Sequence, residues 1–113
     1  MKLVKDRVDL AELKKMAKSS FGNLVKAVID IKKGIIVVDG ELHADQEALL
    51  LEKGSEQEDL WGINFYPDLK GNDFVEFDSM INLRPNQKNL SLGVDDPKIR
   101  EKIFKIVNKL VKK

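Results

Sequence analysis

Seven consecutive residues hold the densest chemistry of the chain: Asp39-Gly40-Glu41-Leu42-His43-Ala44-Asp45. If the backbone stays extended beyond Val38, alternation points Asp39, Glu41, His43 and Asp45 to one face. Three carboxylates and an imidazole so placed form a ligand set for a hard or borderline divalent ion. His43 is the sole histidine, so it is also the sole imidazole available as a general base. The plainer alternative is a polar strand end, with Asp45 capping a short helix.

A second stretch, Phe74 to Arg84, alternates in the same way. Val75, Phe77, Ser79, Ile81 and Leu83 fall on one side. Glu76, Asp78, Asn82 and Arg84 share the other with Phe74 and Met80. Any half-exposed antiparallel strand shows this pattern; it gains weight if Asn64, from the preceding strand, lies on the polar face. The candidate metal ligands are therefore Asp39, Glu41, His43, Asp45, Glu76 and Asp78. The candidate catalytic groups are His43, Asp45, Asp78 and Arg84, with Arg84 neutralising developing charge. The chain has no cysteine, which favours magnesium or manganese over a structural zinc if an ion is held. Ser55 reads as a turn or cap residue, and Trp61 as core. Arg84, Gln87, Lys88 and Asn89 lack the glycine pattern of a phosphate cradle, and no dinucleotide or P-loop fingerprint occurs.

The elements that must position these residues follow from periodicity. Asp9-Leu10-Ala11-Glu12 has the form of a capping box. Leu10, Leu13, Met16 and Ala17 then share a helical face, and Gly22 can end the helix. Residues 2–5 suit a short edge strand. Leu24 to Ile31 alternates, Lys32-Lys33-Gly34 turns, and Ile35 to Val38 returns, which is a hairpin signal. A short helix is expected over 45–53. Leu60 to Tyr66 and Phe74 to Leu83 are two more strands, the second ended by Pro85. Asp96-Pro97 opens a last helix with Ile99, Ile103, Ile106, Val107 and Leu110 on one face. The sum is one α+β domain over 1–113: a two-layer sandwich with a largely antiparallel sheet of four to five strands and helices packed on one face. The other face would be polar or covered by a second subunit. Leu13, Ile29, Ile31, Phe77, Ile81, Ile103 and Val107 are the expected core.

Composition bounds the rest. The chain has 113 residues, 42% hydrophobic and 35% charged, enough for one core and unlike a disordered chain. Without cysteine, disulfides, thiolate metal sites and cysteine nucleophiles are excluded within the chain. With no apolar leader or span apparent, a cytoplasmic protein is expected. The net charge of +1 hides a segregation. Residues 1–34 carry nine basic and four acidic side chains, residues 35–83 two and twelve, and residues 84–113 nine and three. Charge balance within the fold is the simplest account; pairing between subunits is another.

The stretches Glu41-Leu42-His43-Ala44-Asp45, Gly54-Ser55, Asp59-Leu60-Trp61-Gly62-Ile63-Asn64 and Glu76-Phe77-Asp78-Ser79-Met80-Ile81-Asn82-Leu83-Arg84-Pro85 resemble a small family of prokaryotic proteins described only as a domain of unknown function. The resemblance runs over almost the whole chain and rests on polar residues and a Trp-Gly pair as well as apolar periodicity. It implies a compact, free-standing bacterial or archaeal protein and assigns no catalytic residue. Three functions therefore compete, and whether the chain is an enzyme stays open. The first is a small binding or regulatory protein, expected as a homodimer. The second is a divalent-metal-dependent hydrolase, acting for instance on a phosphoester. The third, a nucleic-acid-binding module using the basic ends, is least favoured by the near-neutral total charge.

Overall fold

A computed structural model describes residues 1–113. The chain runs β1 (Lys2–Val4), β2 (Val8–Asp9), α1 (Leu10–Ser19), β3 (Val25–Asp30), β4 (Ile35–Gly40), α2 (His43–Glu52), β5 (Leu60–Phe65), β6 (Val75–Glu76), α3 (Pro97–Leu110) and β7 (Val111–Lys112). Five strands form an antiparallel sheet in the order β1-β4-β3-β5-β6. β2 and β7 form a small parallel pair, with Val8 opposite Val111. The fold is α+β, with three helices on the sheet.

Local chemistry sets the element ends. α1 opens on the Asp9–Glu12 capping box. It closes where Gly22, at φ 95°, donates its N–H to the Ala17 carbonyl at 2.6 Å. At the β3–β4 turn, Asp30 Oδ1 accepts from the N–H groups of Lys32 and Lys33, both at 2.9 Å. Ser55 donates to the other oxygen of Asp30 at 2.6 Å, so its hydroxyl serves that turn. Asp96 caps α3 by accepting from the Lys98 N–H, with Pro97 in the first helical position.

The two sheet faces differ. Val25, Ala27, Ile29, Ile36, Val38, Trp61, Ile63 and Phe65 pack with Leu13 and Ala17 of α1 and with Ile103, Val107 and Leu110 of α3. Burying each large aliphatic side chain there contributes about 1.5–3 kcal/mol. On the opposite face Val28, Val37 and Leu60 meet Leu50 of α2, with Ile81 against them. The first and last helices, α1 and α3, thus share a face as expected, whereas α2 takes the other. That second face is covered from within the chain, neither wholly polar nor left for another subunit. Of the expected core, Leu13, Ile29, Ile103 and Val107 are buried; Ile31 and Phe77 are half-buried at its margin, and Ile81 belongs to the α2 side.

Two expected elements are reshaped. β4 does not stay extended to residue 45. The β3–β4 register shifts at Lys26/Ala27, so that Asp39 and Gly40 together follow the Val38–Ala27 pair, and Asp39 sits at φ 61°. This extra residue is a β-bulge, which bends the strand and ends the alternation. α2 then begins at His43, with Leu42 as its N-cap. The long strand over 74–83 shrinks to Val75–Glu76. Beyond it the chain crosses over Gly62, where a Cβ would lie 2.5 Å from the Ser79 Cβ. Side chains then replace the strand along the open edge of β5. Asn82 accepts from the Gly62 N–H at 2.8 Å and donates to the Gly62 carbonyl at 2.9 Å. Arg84 donates to the Leu60 carbonyl. An unpaired strand edge has to be satisfied somehow, and here an amide and a guanidinium do it.

Candidate functional site

The floor of the site is a row of side chains across three strands. Lys26 pairs with Asn64, and Asn64 with Glu76, so the three lie side by side on the face that α2 covers. The Asn64 amide donates to Glu76 Oε1 at 2.9 Å and to the Asp78 carbonyl at 3.3 Å. Tyr66, two residues along the same face, donates its hydroxyl to the same Glu76 oxygen at 3.1 Å. Burial, and then that bond to Glu76, push the Tyr66 phenol above its ordinary value.

The N-terminus of α2 forms one wall. Gln46 is buried and occupies the space that a Cβ on Gly40 would need, 2.6 Å away. Its amide donates to the carbonyls of Lys26 at 2.7 Å and Val37 at 3.3 Å, which ties the helix to the sheet. His43, in the first turn, is thereby held over β5, with Nε2 donating to the Ile63 carbonyl at 2.8 Å. In the neutral ring this leaves Nδ1 as an acceptor. Burial lowers the His43 pKa below its ordinary value, and the Lys26 charge adds to that. The Ile63 carbonyl, Asn64 and Asp78 favour the protonated ring but do not overcome it.

The facing wall is the crossing segment, Asp78 to Ile81, with Leu92 behind it. Together these surfaces enclose a cleft of about 580 Å³, lined also by Leu24, Leu42 and Ala44. Its rim is apolar and open: Leu42 is 55% exposed and Met80 73%. A polar floor beneath an apolar rim can hold a small ligand by convergent hydrogen bonds while sheltering its apolar part.

The candidate residues divide among several places. His43, Glu76 and Asp78 line the cleft together with Asn64. Asp39 and Glu41 line a separate depression with Ser19, Ser20 and Phe21, because the bulge turns them away. Asp45 is exposed in the first turn of α2 and caps nothing. Asn82 and Arg84 are buried in the scaffold of the crossing segment. Besides Leu60, Arg84 donates to the carbonyls of Ile81 at 2.9 Å and Gln57 at 2.8 Å. It stacks 4.9 Å from the Trp61 ring and reaches Glu47 at 3.4 Å. Asn89 holds the same segment by donating to the carbonyls of Asn82 and Gly93. The acidic side chains with ligand oxygens within 4.8 Å of one another are Glu56, Glu58 and Asp59, a largely exposed group before β5 that a divalent ion could bridge.

Lys26 and Tyr66 were missed as site residues, although the alternation that places Asn64 on this face places them there too. The apolar rim left no signal, since Leu42, Met80 and Leu92 read as ordinary hydrophobic residues. Neither the curated proteins nor the solved structures include a match to the chain. A family profile does match, over residues 2–110, and the chain belongs to that family, described as a protein of unknown function (DUF5674).

Proposed function

We propose that this protein is a small binding or regulatory protein of the prokaryotic cytoplasm, and that it binds a small ligand in the cleft between α2 and the Asp78–Ile81 segment. The observation that carries the reading is the convergence of His43, Asn64, Tyr66 and Glu76 on one concave surface, drawn from a helix and two strands. Such a concave site, mostly apolar with a few convergent polar groups, is the usual form of a ligand pocket. Binding is favoured over hydrolysis by the position of Arg84, the group expected to stabilise charge, whose donors are taken by backbone carbonyls outside the cleft. Magnesium or manganese, if either is used, finds its nearest set of carboxylates at Glu56, Glu58 and Asp59. A dimer assembled through opposite charges belongs to the same proposal.

The test is a fragment titration followed by backbone amide NMR. Binding should shift resonances of residues 24–26, 42–44, 64–66 and 76–81 as one group. If millimolar fragments shift nothing there, or shift only the Asp39–Glu41 depression, the reading fails.

A further inference from the structure

We propose that the outer face of α1 and α3 binds the phosphate backbone of duplex nucleic acid without reading its sequence. This surface is separate from the cleft, which lies on the other side of the sheet.

The sheet divides helices of unlike charge. Residues 10–19 and 97–113, which hold α1 and α3, carry ten basic and two acidic side chains. α2, on the opposite face, carries three acidic side chains and no lysine or arginine. The total of +1 therefore averages two surfaces of opposite character. Both acids of the basic layer are already paired, Glu12 with Lys2 at 2.6 Å and Glu101 with Lys105 at 3.6 Å. Lys14, Lys15 and Lys18 of α1 and Lys98, Lys102 and Lys109 of α3 are exposed and enter no ion pair. On α3 the lysines form a row. Lys98, Lys102, Lys105 and Lys109 recur at intervals of four, three and four residues, which sets each beside the next along one stripe of the helix. Like charges so placed destabilise a helix, and packing does not require them, since Ile103, Val107 and Leu110 make the contacts with the core. A row of phosphates relieves that repulsion. The surface is continuous with α1: Lys14 and Lys113 line one depression of about 310 Å³ with Lys70, and Asp68 is its one acidic member.

The kind of polyanion follows from what the face lacks. A helix that binds a membrane surface lays an apolar side into it, and the apolar side of α3 is buried in the core. Single strands are held by stacking on aromatic rings. Phe104, the one aromatic residue of the two helices, is half-buried against Phe77. A duplex backbone asks for positive charge and no contact with the bases.

The test is fluorescence anisotropy of a labelled mixed-sequence DNA duplex titrated with the full chain at about 50 mM salt. The dissociation constant should be about 10⁻⁴ M or lower, and log K should fall against log salt with a slope of about −4, one counterion for each lysine of the row. Lys102→Gln with Lys109→Gln removes two exposed side chains that make no ion pair, so folding should be kept. It should weaken binding about tenfold or more and reduce the slope by about 2. Lys32→Gln with Lys33→Gln removes the same charge from the exposed β3–β4 turn and should leave both unchanged. No binding, or equal losses in the two variants, overturns the proposal. So does tighter binding of a single strand, of polyglutamate or of phosphatidylserine vesicles than of the duplex. A second copy would need the same lysines, so the duplex should dissociate any dimer; a dimer that sediments apart from free duplex gives the face to a second copy and overturns the assignment too.

Discussion

His43 occupies a place where an imidazolium is disfavoured: buried, at the positively polarised N-terminus of a helix, with the Lys26 charge nearby. Its folded-state pKa therefore lies below the ordinary 6.5, and the unfolded chain takes up the proton first. The stability tied to this difference is complete above the ordinary value and is lost as pH falls through it toward the lower, folded-state value. Thermal melts between pH 7.5 and 5.5 should show the melting temperature falling with pH, and His43→Gln should flatten that slope. An equal slope in both proteins would mean that the ring titrates freely. Asn82 has a scaffold role that is tested separately. Asn82→Ala strips partners from the Gly62 N–H and the Gly62 carbonyl, while the Leu92 carbonyl keeps the Ser79 N–H. Buried groups left unsatisfied cost about 1–3 kcal/mol each, so with two of them urea unfolding should show a loss of about 2–6 kcal/mol. A loss below about 1 kcal/mol would show that water replaces the amide there.

Gly62 decides whether the crossing segment can lie on β5, and with it the shape of the cleft. Gly62→Ala brings a Cβ within 2.5 Å of the Ser79 Cβ, backed by Ile81 at 3.1 Å, so residues 78–81 must lift away. The variant should melt lower than its parent and shift the amide resonances of Asp78 to Ile81; unchanged spectra would mean that the close approach is not real. On the other face, Ile103→Ala removes a fully buried side chain from the main core and should cost about 2–5 kcal/mol. Phe77→Ala should cost less, because that ring is half-buried and its main aromatic contact is Phe104, 5.5 Å away. Elements with strong local signals were legible: the capping box of α1, the β3–β4 hairpin, β5, and the Asp-Pro start of α3. What periodicity could not show was where pairing stops. The bulge at Asp39 is one added residue, and it moved Asp39, Glu41 and Asp45 away from the face shared with His43. β6 ended early because the Asn82 and Arg84 side chains stand in for a strand, which alternation reads as two outward polar residues. Of the expected site residues, His43, Asn64, Glu76 and Asp78 do line the cleft, but only Asn64 and Glu76 reach it from strands, as the alternation supposed.

Across the whole molecule the segregated charges are not neutralised by direct pairing. Of the four ion pairs, Arg84–Glu47 alone joins the acidic middle of the chain to a basic end. The other three link neighbours within the basic ends, on exposed side chains where each pair contributes little. Residues 35–83 carry twelve acidic and two basic side chains, of which only Glu47 enters a direct ion pair. Residues 84–113 carry nine basic and three acidic. Two copies related by a two-fold axis can set the acidic part of each against the basic part of the other. The sheet face once expected to drive such pairing is covered by α2, so the attraction should be mainly electrostatic and sensitive to salt. The screening length is about 10 Å at 0.1 M ionic strength and about 3 Å at 1 M. Sedimentation at micromolar protein should therefore show a species near twice 12.8 kDa at low salt that dissociates toward 1 M sodium chloride. A 12.8 kDa species at every salt concentration would refute the dimer. A dimer that survives 1 M salt would instead place apolar contacts at its centre, and the exposed Met80, Leu83 and Leu90 would be the first side chains to replace.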